Sequence, residues 1–358
     1  MALLQDFIIE ETKPVKEALH VINKNGCGVC FVVSSKKLKG VITDGDLRRY
    51  LLKESNLDCR IKNVMNKKFI YFHVQTDSST IRERFSDDIK FIPLVDDEFN
   101  LVDVASAKKM HMIPVLEPDL SGNEMAYVNE CIRTNWISSQ GKFVKQFESQ
   151  FSKLHLGRHA VSVTSGTTAL HLALKTLNIG IGDEVIIPNI TFAACANAVI
   201  MSGATPVFCE IDAQTWCISP SEIQSLLTNR TKAIMIVHLY GQVADIDAII
   251  KIADQYDLFI LEDCAEALGS KYKDQPVGTF GNIGTFSFFG NKTISTGEGG
   301  MLIFEDEKLA KKSRILRDHG MDPNNKYWHE YTGYNYRLTN LQAAVGLAQL
   351  ERFKNIVD

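Results

Sequence analysis

Apolar and polar positions in the first third of the chain predict two similar α/β units in tandem. Residues 1–55 carry a helical pattern, a buried strand, a polar turn, a second strand and a short helix, in the order VKEALHVINKN, GVCFVV, SSKK, LKGVIT and DGDLRRYLL. Residues 60–110 repeat this order more loosely, with strands at FIYFHV, FIPLVDD and LVDVAS and a helix at STIRERF. We expect each unit to cover the apolar face of the other. The segment MIPVLEPDLSGNE, with its prolines and glycine, predicts a link to the rest of the chain.

From about residue 120 onward, short β-branched segments alternate with helical ones. The predicted helices include TTALHLALKTL, DIDAIIKIADQY and EDEKLAKKSRILRDHG. The predicted strands are AVSVT, EVIIP, TPVFCEI, AIMIVH, LFILED, GTFSFF and GGMLIF. Short strands that are buried on both faces and separated by helices are typical of a mostly parallel α/β sheet. Functional side chains in such sheets gather at the carboxyl ends of the strands.

Composition and charge narrow the class of protein. Of the 358 residues, 45% are apolar and 23% are charged, which is ordinary for a soluble globular protein. A formal net charge of −4 gives no electrostatic argument for a nucleic-acid or membrane partner. No apolar run reaches the roughly 18 residues that a membrane-spanning helix needs, and the start, MALLQDFIIEETK, lacks the basic flank of a signal peptide. These features favour a cytoplasmic enzyme.

Eight cysteines are scattered through the chain, and two of them form the motif C-G-V-C at Cys27 and Cys30. This spacing fits half of a zinc site or a redox pair, but a structural zinc site needs a second ligand pair, and none follows. The same segment predicts a buried strand, in which cysteine behaves as a small hydrophobic residue. We therefore favour a structural role for these cysteines and predict no metal site.

Three motifs, in a particular order, predict the chemistry. The first, TSGTTAL at 164–170, follows a strand and opens a helix, so Gly166 and Thr167 lie at a helix N-terminus, where free N–H groups and the helix dipole favour a phosphate. Small polar residues also simply cap helices. The second is LEDCAEALG at 261–269, where Asp263 ends a strand. This carboxylate is either an ordinary helix cap or the group that keeps a pyridinium nitrogen protonated.

The third motif, FSFFGNKTISTGEGG at 286–300, places Lys292 between an apolar strand and a glycine-rich stretch. A partly desolvated lysine loses some preference for its charged form, as an amine nucleophile must. Ser287 could supply a further hydrogen bond to a phosphate. Most single lysines are solvated surface residues, but a phosphate loop, a strand-end aspartate and this lysine together form a specific signal.

Segment 117–358 resembles the DegT/StrS family of sugar aminotransferases, which have the fold type I architecture of aspartate aminotransferase. The shared stretches cover nearly all of the segment: SGTTALHLAL, GDEVIIPNITFAACANAV, GATPVFCEID, VHLYGQVADID, EDCAEALGS, GTFSFFGNKTISTGEGG and GYNYRLTNLQAA. Within the family, EDCAEALGS, FSFFGNKT-TGEGGM and RDHGMDPNNKYWHEYTGYNYRLTN are most similar to GDP-perosamine synthases. The resemblance implies the large domain of a fold type I pyridoxal-phosphate-dependent transferase.

The resemblance also implies roles for individual residues. Lys292 matches the lysine that holds pyridoxal 5'-phosphate covalently, and Asp263 matches the partner of the ring nitrogen; these are the predicted catalytic residues. Glu266 matches a position near the ring hydroxyl, and Phe192 matches an aromatic residue that stacks on the cofactor. The residues that match the phosphate-binding site are Gly166, Thr167 and Ser287.

The resemblance implies roles for two further residues, one of which has an alternative interpretation. Asn335 matches a residue that reaches the phosphate from the neighbouring subunit, which implies a homodimer with shared active sites. His238 matches a position near the cofactor, although a buried structural histidine is an equally reasonable interpretation.

The implied reaction moves an amino group from glutamate to the C4 keto carbon of GDP-4-keto-6-deoxymannose and gives GDP-perosamine, a precursor of surface polysaccharide such as O-antigen. A dehydrating branch of the family has histidine in place of Lys292, so lysine argues against that branch. Two alternatives stay open. The substrate could be a UDP-linked 4-keto amino sugar, or the chain could be a non-catalytic nucleotide-sensing protein.

The first unit pair resembles tandem CBS modules, which bind adenine nucleotides in many proteins. The stretch G-V-I-T-D-G-D gives Thr43 and Asp46 as candidate ribose contacts, whereas the second module has Asp103 and Lys109 at the corresponding pattern positions. We therefore expect at most one nucleotide site, and a purely structural or dimerising module is an equally reasonable interpretation. The predicted domains are 1–112, divided at about residue 55, and 113–358. Family members continue past NLQAAVGLAQLERF into a small second domain, so the aminotransferase domain is expected to be truncated at its C-terminus and its turnover to be in doubt.

Overall fold

A computed structural model describes residues 4–54, 56–86, 88–107, 116 and 118–357 of the chain. The chain divides into two compact units, Met1–Pro114 and Val115–Asp358, which are treated separately below. The predicted boundary between residues 112 and 113 lies outside the described residues.

The N-terminal unit consists of two three-stranded sheets with the same pattern of strand pairing. In each sheet the first two strands are parallel and the last two antiparallel. The sheets have the orders β1-β2-β3 and β4-β5-β6, with strands β1 (Ile8–Glu10), β2 (Val29–Ser34), β3 (Lys37–Thr43), β4 (Phe72–His73), β5 (Phe91–Val95) and β6 (Leu101–Ser106). The helices are α1 (Val15–Asn25), α2 (Asp44–Glu54) and α3 (Ser78–Arg82), and two 3-10 turns span Leu4–Phe7 and Ile61–Asn63.

The apolar faces of the two sheets share one core. Phe31 and Val33 of the first sheet pack in the same buried cluster as Val95 and Leu101 of the second. Alternate residues of a strand lie on one face, so this cluster uses one face of β2. The expectation that the tandem repeats 1–55 and 60–110 cover each other's apolar face is therefore confirmed.

One predicted strand of this unit is shorter than expected. FIYFHV predicts a strand from residue 69, but only Phe72–His73 pairs with β5. The preceding residues Phe69 and Tyr71 contact each other, with ring centroids 6.0 Å apart, and Tyr71 also contacts Phe99, between β5 and β6, with centroids 4.9 Å apart. The first part of FIYFHV therefore packs through its side chains and does not pair as a strand.

The C-terminal unit is built on a seven-stranded sheet with the order β7-β15-β14-β11-β10-β8-β9. Every neighbouring pair is parallel except the two that involve β15, which runs antiparallel to both β14 and β7. The strands are β7 (His159–Val163), β8 (Glu184–Pro188), β9 (Thr205–Cys209), β10 (Thr231–Val237), β11 (Phe259–Asp263), β14 (Ile283–Ser287) and β15 (Gly300–Phe304). A separate short hairpin pairs β12 (Lys271–Tyr272) with β13 (Gln275–Pro276). The predicted mostly parallel sheet is confirmed.

Helices cover both faces of this sheet. On β10, Met235 belongs to one core cluster while Ile234 and Ile236 belong to another, so consecutive residues are buried on opposite faces. The helices are α4 (Glu124–Arg133), α5 (Lys142–Leu154), α6 (Gly166–Thr176), α7 (Ala194–Ser202), α8 (Pro220–Leu226), α9 (Ile246–Tyr256), α10 (Glu307–Arg317), α11 (Asn340–Glu351) and α12 (Phe353–Val357). None of the helices in the described part of the chain combines the length and apolar character needed to cross a membrane.

Candidate active site

A cavity of about 350 Å³ lies at the carboxyl ends of β7, β8, β10, β11 and β14. These strands are parallel, so the segments that follow them meet at one edge of the sheet. Seven of the residues predicted from the sequence line this cavity: Gly166, Thr167, Phe192, Asp263, Glu266, Ser287 and Lys292.

One end of the cavity is the N-terminus of α6. The Ser165 side chain accepts a hydrogen bond from the Thr168 N–H at 3.2 Å, and the Thr168 hydroxyl accepts one from the Ser165 N–H at 3.0 Å, which together form a capping box. The first N–H groups of a helix have no carbonyl partner within the helix. Those of Gly166 and Thr167 are therefore suited to bind an anion, and the helix dipole adds to this preference.

A close approach of two backbones explains the glycine at this end. A Cβ atom on Gly166 would lie 2.8 Å from the Cβ of Ser287, at the end of β14. Because real Cβ atoms do not approach this closely, only glycine lets the helix start so near the strand. The Ser287 side chain thereby reaches the same end of the cavity as the N–H groups of α6.

Asp263 is a buried carboxylate that lines the cavity, with an exposed fraction of 6%. Its Oδ1 accepts a hydrogen bond from the Ala265 N–H at 3.0 Å, and its Oδ2 accepts one from the Cys195 thiol at 3.2 Å. Burial raises the pKa of Asp263, although the two hydrogen bonds and the positive charge of Lys292 oppose this. A cationic or N–H partner would stabilise the ionised form of this buried carboxylate.

Lys292 lines the same cavity, next to a second carboxylate. Its Nζ is 3.4 Å from Oε1 of Glu266, and the two side chains are 19% and 27% exposed. The other oxygen of Glu266 accepts a hydrogen bond from the Tyr240 N–H at 3.1 Å. Tyr240 has left-handed backbone angles, φ 50° and ψ 32°, so a strained residue fixes the carboxylate beside the lysine.

Phe192 supplies an apolar surface at the rim of the cavity. It lies between β8 and α7, and 75% of its surface is exposed although it lines the cavity. An exposed aromatic ring at this position is suited to stack on a flat ligand, because ring stacking combines apolar burial with favourable quadrupole geometry.

The structure does not bring His238 into the cavity. It is fully buried, its Nε2 is 3.3 Å from Oε2 of Glu262, and its Nδ1 accepts a hydrogen bond from the Ala244 N–H at 3.4 Å. The Nε2 therefore carries the proton and donates to Glu262. The contact of His238 with a cofactor stays a prediction, whereas its observed partners fit the interpretation as a structural histidine.

Glu262 forms a hydrogen-bonded hub in the core. It accepts hydrogen bonds from the N–H groups of Gly278, Phe280 and Gly281 at 2.8, 2.8 and 2.6 Å. Burial alone would raise its pKa, but His238 and these N–H groups lower the pKa overall. Donor atoms of Glu262, His238 and Cys264 lie within 4.8 Å of one another. Because the carboxylate is already bound to N–H donors, this cluster is better explained as a structural network than as a metal centre.

Asn335 lies after α10, away from the lining of the cavity. Its Oδ1 accepts hydrogen bonds from Nε and NH2 of Arg337 at 3.2 and 3.1 Å, and it pairs with Asp318 through a backbone bridge. Arg337 in turn contacts Oδ1 of Asp318 at 2.8 Å. The predicted role of Asn335 concerns a second subunit, so it stays a prediction.

A separate cavity of about 510 Å³ lies within the N-terminal unit and includes Thr43 and Asp46 in its lining. Asp46 is engaged locally, because Oδ2 accepts hydrogen bonds from the N–H and hydroxyl of Thr43 at 2.9 and 2.7 Å, while Oδ1 contacts Arg49 at 2.7 Å. Of the two positions predicted for the second module, Asp103 is on β6 and Lys109 lies outside the described residues.

The C-G-V-C motif divides between a strand and the segment before it. Cys30 is fully buried in β2, and burial raises its pKa to about 12. Cys27 precedes the strand and is half-buried, and its thiol donates to the carbonyl of Asn25. The predicted buried strand is confirmed for Cys30.

Sequence reasoning missed several residues of the site. Thr191, Asn291 and Glu298 line the cavity, Cys195 contacts Asp263, and Tyr240 contacts Glu266. Local pattern gave one usable signal, since Thr191 and Cys195 flank the predicted Phe192. The contact between Cys195 and Asp263 joins residues 68 positions apart, and only the sheet order brings them together.

The residues of this cavity fit pyridoxal phosphate. A helix N-terminus approached closely by Ser287 suits the phosphate, the buried Asp263 suits a protonated ring nitrogen, and Lys292 adds an amine to the lining of the same cavity. The exposed ring of Phe192 suits the face of the pyridine.

Two family models match segments of the chain. The family described as DegT/DnrJ/EryC1/StrS aminotransferase matches residues 118–358, and the CBS domain matches residues 5–53. The chain is 50% identical over 248 residues to the GDP-perosamine synthase of Escherichia coli O157:H7, which covers 69% of this chain and 68% of that one. It is 44% identical over 210 residues, 58% of this chain and 56% of the other, to the UDP-N-acetyl-3-dehydro-alpha-D-glucosamine 3-aminotransferase of Acidithiobacillus ferrooxidans.

A solved structure supports the fold. The Helicobacter pylori aminotransferase PseC, described as involved in the biosynthesis of pseudoaminic acid, is similar with a TM-score of 0.64 and 32% identity, over 68% of this chain and 66% of that chain. The predicted fold type I architecture is confirmed. The chain spans about two thirds of the length of the curated relatives that it matches first.

Proposed function

Because the chain belongs to the DegT/DnrJ/EryC1/StrS aminotransferase family, we propose that it transfers an amino group from glutamate to the C4 keto carbon of GDP-4-keto-6-deoxymannose. The observation that carries this proposal is the placement of Lys292, Asp263 and the N-terminus of α6 around one cavity of about 350 Å³. The similarity to a GDP-perosamine synthase at 50% identity supports the choice of sugar.

Each residue of the cavity has a separate task in this reaction. Bound pyridoxal phosphate supplies an aldehyde that reacts with amines and a ring that withdraws electrons from the reacting carbon. The N–H groups of Gly166 and Thr167 bind the phosphate and fix the position of the ring. The carboxylate of Asp263 holds a proton on the ring nitrogen, and the apolar face of Phe192 packs on the ring and excludes water from it.

Lys292 moves protons at the reacting carbon. Its amine, once it is no longer bound to the cofactor, acts as a general base and accepts a proton from the amino donor. In the half of the reaction that forms the amino sugar, it returns a proton as a general acid. Glu266, with Oε1 at 3.4 Å from Nζ, keeps the amine near the ring. The Tyr240 N–H holds Glu266 in place through its other oxygen.

A product assay tests the proposal. The full chain is incubated with glutamate and GDP-4-keto-6-deoxymannose, and both 2-oxoglutarate and the amino sugar are measured. We expect transfer by the wild type and a loss of at least about a thousandfold in Lys292→Ala, because no other amine replaces the proton carrier. Lys251→Ala, an exposed lysine of α9, is the control and should be unaffected. Transfer that survives in Lys292→Ala would contradict the proposed role.

A second substrate class is favoured by the similarity to two other relatives, one acting on a UDP-linked sugar and one involved in the biosynthesis of pseudoaminic acid. The same assay with UDP-linked keto sugars separates the two classes. Faster turnover of a UDP-linked sugar would replace the GDP-linked substrate and leave the reaction type intact.

The non-catalytic alternative makes a different prediction for the same protein. If the chain only senses nucleotides, borohydride treatment after incubation with pyridoxal phosphate leaves no pyridoxyl mass on the peptide that contains Lys292. A labelled peptide that is lost in Lys292→Ala would exclude that alternative for cofactor binding, and turnover would exclude it for the whole chain.

We also propose an adenine nucleotide as ligand of the N-terminal unit. The cavity of about 510 Å³ combines Thr43 and Asp46 with the cations of Lys68 and Lys90, which suit a ribose and a phosphate. Calorimetric titration of the full chain with AMP, ATP and GDP-sugars tests this, with Asp46→Asn as the variant. Absence of heat with all of them would leave a structural role for the unit.

A further inference from the structure

We propose that Cys195 is a positioning residue for Asp263, and that its thiol holds the carboxylate in the orientation that accepts a hydrogen bond from the ring nitrogen of bound pyridoxal phosphate. The identity of that ring rests on the proposed function. The contact between thiol and carboxylate belongs to the unliganded protein and can be tested by itself.

Three polar groups form a short chain that ends at Asp263. Cys195, in the first turn of α7, is fully buried, and its Sγ lies 3.2 Å from Oδ2 of Asp263. The hydroxyl of Thr191 lies 3.2 Å from the same sulfur. On the other side of the carboxylate, the Ala265 N–H donates to Oδ1 at 3.0 Å. Each oxygen of Asp263 therefore has one donor, and the group cannot rotate without losing both bonds.

The direction of these hydrogen bonds follows from the number of protons. An ionised carboxylate only accepts, so the single thiol proton goes to Asp263, and the hydroxyl of Thr191 donates to the sulfur. Burial, followed by the negative charge of Asp263, raises the pKa of Cys195 well above its usual value, so the thiol stays protonated and remains a donor. The remaining lone pairs of the carboxylate are left to accept the ring N–H.

The thiol also opposes the effect of burial on the carboxylate. Burial raises the pKa of Asp263, and the hydrogen bond from Cys195 is one of the interactions that lower it. A protonated Asp263 would lack the negative charge that keeps a proton on the ring nitrogen. The thiol therefore favours the protonation state in which Asp263 can serve the cofactor.

The competing interpretation is that Cys195 only fills space. Buried cysteine often acts as a small hydrophobic residue, and its removal would then loosen the cavity for any ligand. The two interpretations differ in whether the ring nitrogen matters, because a packing defect affects every ring of the same shape equally.

Ligand binding to the full chain separates them. Dissociation constants are measured for pyridoxal phosphate and for 1-deazapyridoxal phosphate, in which a C–H replaces the ring nitrogen. We expect Cys195→Ala to weaken the binding of pyridoxal phosphate about tenfold, near the lower end of what one hydrogen bond to a charged group contributes, because a thiol is a weak donor. The affinity for the deaza compound should stay unchanged. Cys195→Ser, which keeps a donor, should bind both ligands as the wild type does.

The matched control is Cys209→Ala, which removes a buried thiol at the end of β9 that does not line the cavity. It should change the binding of neither ligand. An equal loss of affinity for both compounds in Cys195→Ala would overturn the inference, and so would equal affinity of Cys195→Ala and wild type for pyridoxal phosphate.

A second measurement needs no cofactor. Infrared spectroscopy of the unliganded protein follows the band of the protonated carboxyl of Asp263, assigned by its loss in Asp263→Asn. Cys195→Ala should move the midpoint of this titration to higher pH, and Cys195→Ser should not. An unmoved midpoint would overturn the inference. Failure of the wild type to bind pyridoxal phosphate would overturn the proposed function, and the infrared result would then decide the thiol–carboxylate contact separately.

Discussion

Gly166 occupies a position where the smallest side chain would separate a helix from a strand. An added Cβ would lie 2.8 Å from the Cβ of Ser287, so Gly166→Ala should push the start of α6 away from β14. We expect about 1–3 kcal/mol less free energy of unfolding from overpacking, and about tenfold weaker binding of pyridoxal phosphate from one lost charge-assisted hydrogen bond. Denaturant titration and ligand titration measure the two effects.

A second substitution tests the cause. Ser287→Gly removes the Cβ with which the added methyl group would collide. In the Ser287→Gly background, Gly166→Ala should therefore lower the free energy of unfolding less than it does in the wild-type chain. If the losses in free energy of unfolding of the two single variants simply add in the double variant, the collision between the two Cβ atoms is not the reason for glycine at position 166.

His155 makes the stability of the C-terminal unit depend on pH. It is buried against Phe151 and Phe286, its Nδ1 donates to the carbonyl of Phe151 at 2.9 Å, and burial lowers its pKa to about 4. The unfolded chain binds the proton at about pH 6.5 and the folded chain only near pH 4. Stability is therefore fully present above pH 6.5 and falls by up to about 3 kcal/mol as the pH decreases to 4.

The measurement compares free energies of unfolding at pH 7 and pH 4. His155→Phe keeps an aromatic ring and removes the titration, so its stability should fall less over this range than that of the wild type. An equal decrease in both proteins would assign the pH dependence to other groups.

Residues that form the site could be predicted where local sequence carries the signal. Lys292 between a strand and a glycine-rich stretch, Asp263 at a strand end and Gly166 at the start of a helix are each visible within a few positions. Cys195 and Tyr240 were not predicted, because their importance lies in contacts with Asp263 and Glu266. Such contacts are set by the order of strands in the sheet, which a local pattern does not contain.

Among the elements, α11 packs against α5 without room for a side chain at one point. A Cβ on Gly346 would lie 2.7 Å from Cζ of Phe147 and 2.8 Å from Cγ2 of Thr296. Alanine gains about 1 kcal/mol over glycine in helix propensity, whereas overpacking costs about 1–3 kcal/mol. We expect Gly346→Ala to lower the free energy of unfolding by about 1 kcal/mol, measured in denaturant.

The control for this prediction reduces the ring that is in the way. Phe147→Leu shortens the neighbouring side chain, so the same glycine substitution should cost less in that background. A gain in stability for Gly346→Ala in the wild-type chain would mean that helix propensity outweighs the contact.

Helices and strands were predictable from the sequence where the apolar pattern of a segment matches both its burial and its backbone pairing in the structure. β8 and β6 occur where EVIIP and LVDVAS predict them, and α1 spans the whole of VKEALHVINKN, since Val15, Ala18 and Ile22 lie on one buried face and Gly26 ends the helix in the left-handed conformation. FIYFHV departs from its prediction because its aromatic residues have side-chain partners at hand and β4 pairs for only two residues.

For the whole molecule, the predicted homodimer can be tested by complementation. If Asn335 completes the active site of the neighbouring subunit, a dimer of one Lys292→Ala subunit and one Asn335→Ala subunit contains one site with both residues intact. Random mixing of the two inactive variants should then restore about a quarter of wild-type activity, since half of the dimers are mixed.

Light scattering gives the control for this experiment. The variants must be dimers and must exchange subunits before activity is measured. Exchange without restored activity would contradict a shared active site, and a monomeric wild type would contradict the dimer itself.

The antiparallel strand β15 has a consequence for how the protein acquires its reactive amine. β14 and β15 are neighbours both in the sheet and along the chain, so the connection 288–299 that contains Lys292 closes over a short sequence distance. Short closures are fast, whereas the parallel pairs must wait for long crossovers. Pulsed hydrogen exchange during refolding should show protection of β14 and β15 before β8 and β9, which means that refolding chains would carry the lysine in its turn before the rest of the pocket has assembled around it.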